Sequence, residues 1–115
     1  MAKAGENRNM KIEFYSEKKL KKEILNIIGK YLDLKKYKVF FFGSRAEGKN
    51  SPRSDIDIGI EGPKEIPLEI MAKIKEEVEE IPTLYKIDVI DFKNVEKDFY
   101  EVAKKKVEFL NPWQN

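Results

Sequence analysis

From Ser54 to Glu61 the chain reads SDIDIGIE. Ile56, Ile58 and Ile60 alternate strictly with Asp55, Asp57 and Gly59. A period of two belongs to a β-strand, because successive side chains point to opposite faces. A helix would scatter the same isoleucines around its circumference. The segment therefore predicts a strand over 54–61 with one wholly apolar face and one face carrying two carboxylates. The apolar face has to be covered, and the rest of the chain must supply the cover.

The flanking sequence supplies it. Ser16 is a good N-cap, and Leu20, Ile24, Ile27, Ile28 and Tyr31 follow at helical spacing, which predicts a helix over 16–32. Lys38 to Phe42 is a short apolar run ending at Gly43, suited to a buried strand. Pro67 sits where a first helical turn accepts proline, and Ile70, Met71, Ile74, Val78 and Ile81 predict an amphipathic helix over 67–81. KIDVIDF predicts a third strand over 86–92. Asn94 is placed to cap a last helix carrying Val95, Phe99, Val102, Ala103 and Val107, with Pro112 ending it. Met10, Ile12 and Phe14 alternate with Lys11 and Glu13, as in an extended lead-in or edge strand. Residues 1–9 are polar and read as a flexible N-terminus, which leaves 10–115 as one domain.

The long link between the second and third strands permits a parallel crossover, and the shorter link between the first two suggests an antiparallel pair. The expected fold is α+β: a mixed sheet of three to four strands with helices packed mainly on one face.

Composition removes whole classes of chemistry. The chain has no cysteine and no histidine, so disulfides, thiolate catalysis, Cys/His zinc sites and histidine bases are excluded. A bound metal would need oxygen ligands, which favours magnesium or manganese. Charged residues make up 38% of the chain yet the net charge is +2. Such a surface is solvated and of mixed sign, and with no basic stripe it argues against nucleic acid as a direct ligand. No apolar run approaches the roughly 20 residues that span a bilayer, and the first nine residues hold no apolar signal core. The chain reads as cytoplasmic. Abundant Lys and Glu with few Arg hint at a heat-loving source.

What chemistry remains is concentrated between Gly43 and Asp57, and at Asp88. Asp55 and Asp57 share a strand face with Cα atoms about 6.5–7 Å apart at the strand rise. Such a pair either forms the solvent side of a strand or brackets divalent cations that hold a phosphoryl group. Without cations the two repel, and one pKa should rise. Gly43 lets the backbone approach a ligand closely, and Ser44 adds a hydroxyl and an N–H. A helical turn beginning at Arg45 would present free N–H groups to an anion. The same residues also read as an ordinary strand-ending turn, and Arg45 could brace a carboxylate or touch phosphate. Asp88 lies within an apolar strand, where a charge is costly unless paired. Asp91, three positions on, points to the opposite face. Only one of the two can join Asp55 and Asp57, and the choice falls on Asp88.

Taken together, Gly43-Ser44, ten intervening residues, Asp55-Ile56-Asp57 and a later-strand acid at Asp88 resemble the signature of the DNA polymerase beta-like nucleotidyltransferase superfamily. The string GSRAEG…SDIDI resembles its minimal prokaryotic members. The resemblance implies a palm-type nucleotidyltransferase fold. It implies ATP as the nucleoside triphosphate substrate and two Mg²⁺ ions, with Mn²⁺ as a substitute. By position, Gly43, Ser44 and Arg45 would bind the nucleotide, and Asp55, Asp57 and Asp88 would be the catalytic metal ligands. The reaction would transfer a nucleoside monophosphate and release pyrophosphate.

Nothing in the sequence looks like a pocket for an acceptor. Minimal members of the family are often paired with a small all-helical HEPN-like protein, so the resemblance implies such a partner and a hetero-oligomer, in which a hydroxyl of the partner, or of a substrate the partner binds, is adenylylated, as in a toxin–antitoxin pair. The alternative it leaves open is a non-catalytic nucleotide-binding module that neutralises the partner by contact. Phe99, Tyr100, Phe109, Leu110 and Trp113 make the C-terminal end unusually aromatic. They would either mark an interface or pack beneath the sheet.

Overall fold

The computed structural model describes residues 16–43, 55–83 and 85–111. The lead-in expected over Met10 to Tyr15, the residues Ser44 and Arg45, and Trp113 lie outside them.

Ser16 is the N-cap of helix α1 (Glu17–Gly29), and its side-chain oxygen accepts from Lys19 N at 3.3 Å. That satisfies one of the orphan donors of the first turn. Leu20, Ile24 and Ile28 are its buried stripe. The helix stops at Gly29, short of the expected end, and Tyr31 and Leu32 pack against the core from the turn that follows. Strand β1 (Lys38–Phe42) pairs antiparallel with β2 (Ile56–Glu61). Helix α2 (Leu68–Val78) then crosses over to β3 (Ile87–Asp91), which pairs parallel with β2. Pro67 is the residue before α2 rather than inside it. Helix α3 (Lys97–Ala103) and the two-residue β4 (Glu108–Phe109) complete the fold. The sheet order is β3-β2-β1-β4. The chain is α+β with an open mixed sheet.

The alternation in β2 divides the sheet into two faces. Ile56, Ile58 and Ile60 are fully buried beneath α1 and α2, with Val39, Phe41 and Val89 from the neighbouring strands. Each fully buried residue of this kind contributes about 1.5–3 kcal/mol. The two helices are tied to each other where Glu77 accepts from Tyr31 Oη and from Lys30 Nζ. The opposite face is smaller and aromatic. Phe40, Phe42 and Phe92 form its buried centre, with Phe40 and Phe92 edge-to-face at 4.9 Å. The short α3 covers it, so two of the three helices lie on one face and the third on the other.

The C-terminal third differs from the expectation of one last helix. Asn94 does not cap it. The carboxylate of Asp91 accepts from Lys93 N at 3.0 Å and the Asp91 carbonyl accepts from Asn94 N, which closes a turn directly after β3. The helix begins only at Lys97, after Glu96. It also ends early, and Val107 lies beyond it. The cause is the open edge of β1, whose unpaired backbone groups need partners. Residues 108–109 pair with Phe41 and Phe40, Leu110 N donates to Val39 O at 2.8 Å, and Asn111 finishes the edge. The Asn111 amide accepts from Val39 N at 3.1 Å and donates to Leu34 O and Tyr37 O at 3.1 and 3.0 Å.

Candidate active site

Asp57 sits near the start of β2, where three elements meet. Across the antiparallel pair its register partner is Phe42, the last residue of β1. Across the parallel pair it is Asp88. The two carboxylates therefore stand side by side on adjacent strands, on the face away from α1 and α2. Both are half-buried, while Asp55 precedes the strand and is exposed. Asp91 points to the other face, where its Oδ2 accepts from Ile66 N at 2.8 Å. Its two carboxylate oxygens are thus taken up in holding backbone.

Gly43 closes the site from the β1 side. Its φ is +78°, a conformation that side chains rarely adopt. A Cβ built there would lie 2.7 Å from Asp57 Oδ2. Glycine at this position gives the chain its turn and gives the carboxylate its space.

The electrostatics of the site are unbalanced. Burial pushes the Asp57 carboxyl above the usual carboxylate range, and the nearby charges of Asp88 and then Asp55 push it further. Among the described residues no ion pair or hydrogen bond offsets them. Four positions along the same strand face the situation is reversed. Glu61 is also desolvated, but Lys104 Nζ at 2.8 Å and Tyr100 Oη both donate to it, and their effect outweighs burial and holds its carboxyl low. Asp57 therefore has the profile of a group awaiting a cation, and Glu61 that of a group already supplied with one. Oxygen-only donors suit Mg²⁺ or Mn²⁺. Among the described residues no three acids are gathered into a ready-made metal cluster.

A cavity of about 510 Å³ opens beside Asp57. Phe42, Gly43 and Asp57 line it from the sheet, and Phe99 and Val102 from α3, with Lys105 and Lys106 just beyond the helix. Sequence reasoning found the sheet side of this cavity and missed the lysines. The signal was the Lys104–Lys106 run directly after the amphipathic α3. Tyr100 and Leu110 have turned inward, onto Phe92 and into the core, while Phe99 and Phe109 remain 41% exposed.

The sequence model of the family described as "Polymerase beta, Nucleotidyltransferase" matches residues 22–111, a span that contains every strand and all the acids of the site. The chain belongs to this family. As a polymerase beta-type nucleotidyltransferase domain it is 35% identical over 71 residues to MntA of Haemophilus influenzae strain Rd, a protein to which protein adenylylation is ascribed. That match covers 60% of this chain and spans 60% of the length of MntA. The fold is shared with a chain of a toxin–antitoxin crystal structure with AMP-PNP, at a TM-score of 0.61 and 17% identity, covering 82% of this chain and 74% of that one. It is also shared with a chain of the complex between a tri-AMPylated Shewanella oneidensis HEPN toxin and its MNT antitoxin, at a TM-score of 0.55 and 14% identity, covering 80% and 69%.

Proposed function

We propose that this nucleotidyltransferase domain transfers AMP from ATP to a hydroxyl on a small helical HEPN-type partner, as the antitoxin of a toxin–antitoxin pair in the cytoplasm. The observation that carries the proposal is the juxtaposition of Asp57, packed against Gly43, with Asp88 on the neighbouring strand. Asp55 is two residues away in sequence and, among the described residues, no basic group is paired with them. The likeness to MntA supports the adenylyl donor, and the AMP-PNP and AMPylated-HEPN complexes of its fold neighbours support ATP and the partner.

In this reading Gly43 and Ser44 hold the triphosphate, with Arg45 close enough in sequence to add charge. Asp55, Asp57 and Asp88 would hold two divalent cations. Bound there, the cations would neutralise charge on the attacking and leaving oxygens of the phosphoryl group. Asp88 accepts the proton of the acceptor hydroxyl. That oxygen forms a bond to the α-phosphorus, the bond to the bridging oxygen breaks, and pyrophosphate leaves. The protein's contribution is positioning and charge placement.

The test is incubation of the full chain with labelled ATP, Mg²⁺ and a HEPN-type helical protein from the same organism. The expected result is label on the partner, lost in Asp57→Asn and Asp88→Asn. No label on the partner, or equal labelling by Asp57→Asn, refutes the assignment.

A further inference from the structure

The cavity beside Asp57 has two chemically distinct parts. Its inner wall is apolar and partly aromatic. Phe99 meets Phe42 edge-to-face at 6.0 Å yet keeps 41% of its surface exposed, and Val102 keeps 69%. Neither exposure is explained by core packing, since α3 contributes no buried residue. Outside this wall stand Lys105 and Lys106, both exposed, and among the described residues neither makes an ion pair. The neighbouring Lys104 differs: it is committed to Glu61 at 2.8 Å. A volume of about 510 Å³ falls within the roughly 300–1,000 Å³ typical of small-molecule sites.

An occupant must therefore present a flat apolar surface to Phe99 and negative charge to the two lysines, with its reacting end at Asp57. A partner's hydroxyl-bearing side chain would satisfy the first condition but gain nothing from paired lysines. A nucleoside triphosphate satisfies all three. We propose that this cavity is the nucleoside pocket of the enzyme, with the base against Phe99 and Val102, and Lys105 and Lys106 attracting the phosphates. The inference rests on the nucleotidyl-transfer reading above and adds the element that selects the nucleotide. In this arrangement α3 is the specificity-determining helix, and the Glu61–Tyr100–Lys104 cluster positions it over the sheet.

The experiment is calorimetric titration of the full chain with AMP-PNP and Mg²⁺. Base–aromatic stacking is typically worth a change of roughly 5- to 150-fold in affinity, and Phe99→Ala should weaken binding within that range. Val102→Trp, which fills the cavity without removing a core contact, should weaken it comparably. The double variant Lys105→Ala/Lys106→Ala should weaken AMP-PNP binding while leaving adenosine binding within twofold. The proposal is overturned if wild type binds AMP-PNP and both Phe99→Ala and Val102→Trp bind within twofold of it. It is equally overturned if those variants raise KM for the acceptor protein alone. A wild-type chain that binds no AMP-PNP at all instead overturns the nucleotidyl-transfer reading, and this proposal with it.

Discussion

Gly43→Ala is the sharpest test of how the site is built, because the structure predicts different effects on stability and on activity. Two costs arise. The backbone at φ +78° would hold an L side chain in the left-handed region, at about 1–2 kcal/mol. The new Cβ would also lie 2.7 Å from Asp57 Oδ2. The atom struck is the tip of a side chain on a partly open face, so the carboxylate swings aside and relieves most of the collision. The next nearest atoms, Asp57 Cγ and Cβ at 3.6 and 3.8 Å, are at ordinary contact distance. Stability should therefore fall by the backbone term alone. At a urea m-value of about 2 kcal/mol per molar, the unfolding midpoint would drop by roughly 0.5–1 M. The same drop should appear in an Asp57→Ala background, with coupling below about 0.5 kcal/mol. Activity should behave otherwise, because a carboxylate displaced by about an ångström from its working position costs on the order of 100-fold in rate. The assays are urea unfolding and single-turnover AMP transfer on folded protein. Asp57 titration followed by carboxyl NMR gives an independent reading, and its midpoint should move down as the group swings into water. Gly43→Ala with the expected loss of stability and an unchanged transfer rate would refute the reasoning.

Asp57 makes the metal-free protein pH-sensitive. Its folded pKa is raised, so the stability it contributes is present below the ordinary carboxylate range and lost as pH rises through the folded value; Asp57→Asn should raise the melting temperature in EDTA at pH 7 and abolish the gain that Mg²⁺ gives to wild type. Glu61 has the opposite sign, since its lowered pKa gives stability above the ordinary range that is lost as pH falls. Lys104→Met, which removes a charged hydrogen bond of 2.8 Å, should cost about 1.5–3 kcal/mol at pH 7 in urea unfolding, and progressively less as pH falls through the lowered folded value of Glu61. Asp88→Asn and Asp91→Asn should separate function from structure: the first abolishes transfer with a midpoint near that of wild type. The second loses about 1–2 kcal/mol through its bonds to Ile66 N and Lys93 N, and retains its rate per folded molecule.

The parts of the fold that were legible in the sequence were those where periodicity is strong and one face is apolar. The isoleucines of β2 and the stripes Leu20–Ile24–Ile28 and Met71–Ile74–Val78 all read directly as buried faces. The C-terminal third was not legible, for a physical reason. The apolar spacing of Val95, Phe99, Val102, Ala103 and Val107 suits a helix, but the unpaired edge of β1 competes for the same backbone and takes Glu108 to Asn111. Local periodicity carries no information about an edge contributed some seventy residues earlier. Asn111 shows the same limit: its three hydrogen bonds to the Leu34–Val39 segment have no trace in neighbouring sequence. Parity alone showed that Asp88 and Asp91 cannot share a face; which of them stands beside Asp57 is decided by the parallel register of β2 and β3, absent from the local sequence.

The polar stripe of β2 shows where parity stops being informative. Asp55, Asp57, Gly59 and Glu61 read as one face, and four such residues would ordinarily be a solvated edge. In the fold they occupy three environments. At Gly59 a Cβ would lie 2.4 Å from the Phe40 ring and 2.6 Å from Phe92, so the glycine exists to let two aromatic rings close over the strand. That aromatic plug separates the acids on either side of it. Beyond it, Glu61 receives Lys104 and Tyr100 and serves to anchor α3. Before it, Asp57 and Asp88 receive nothing from the described residues, and Asp57 lines the cavity that α3 roofs. The separation matters chemically. Were Lys104 able to reach Asp57, it would neutralise the charge that a divalent cation needs, and the site would be an internal ion pair. By filling the middle of the stripe with rings, the chain keeps Lys104 on Glu61 and away from Asp57, which in the proposed function leaves the carboxylates to metal and nucleotide. Gly59 is thus as much a part of the site as Gly43, although it touches no ligand in either reading.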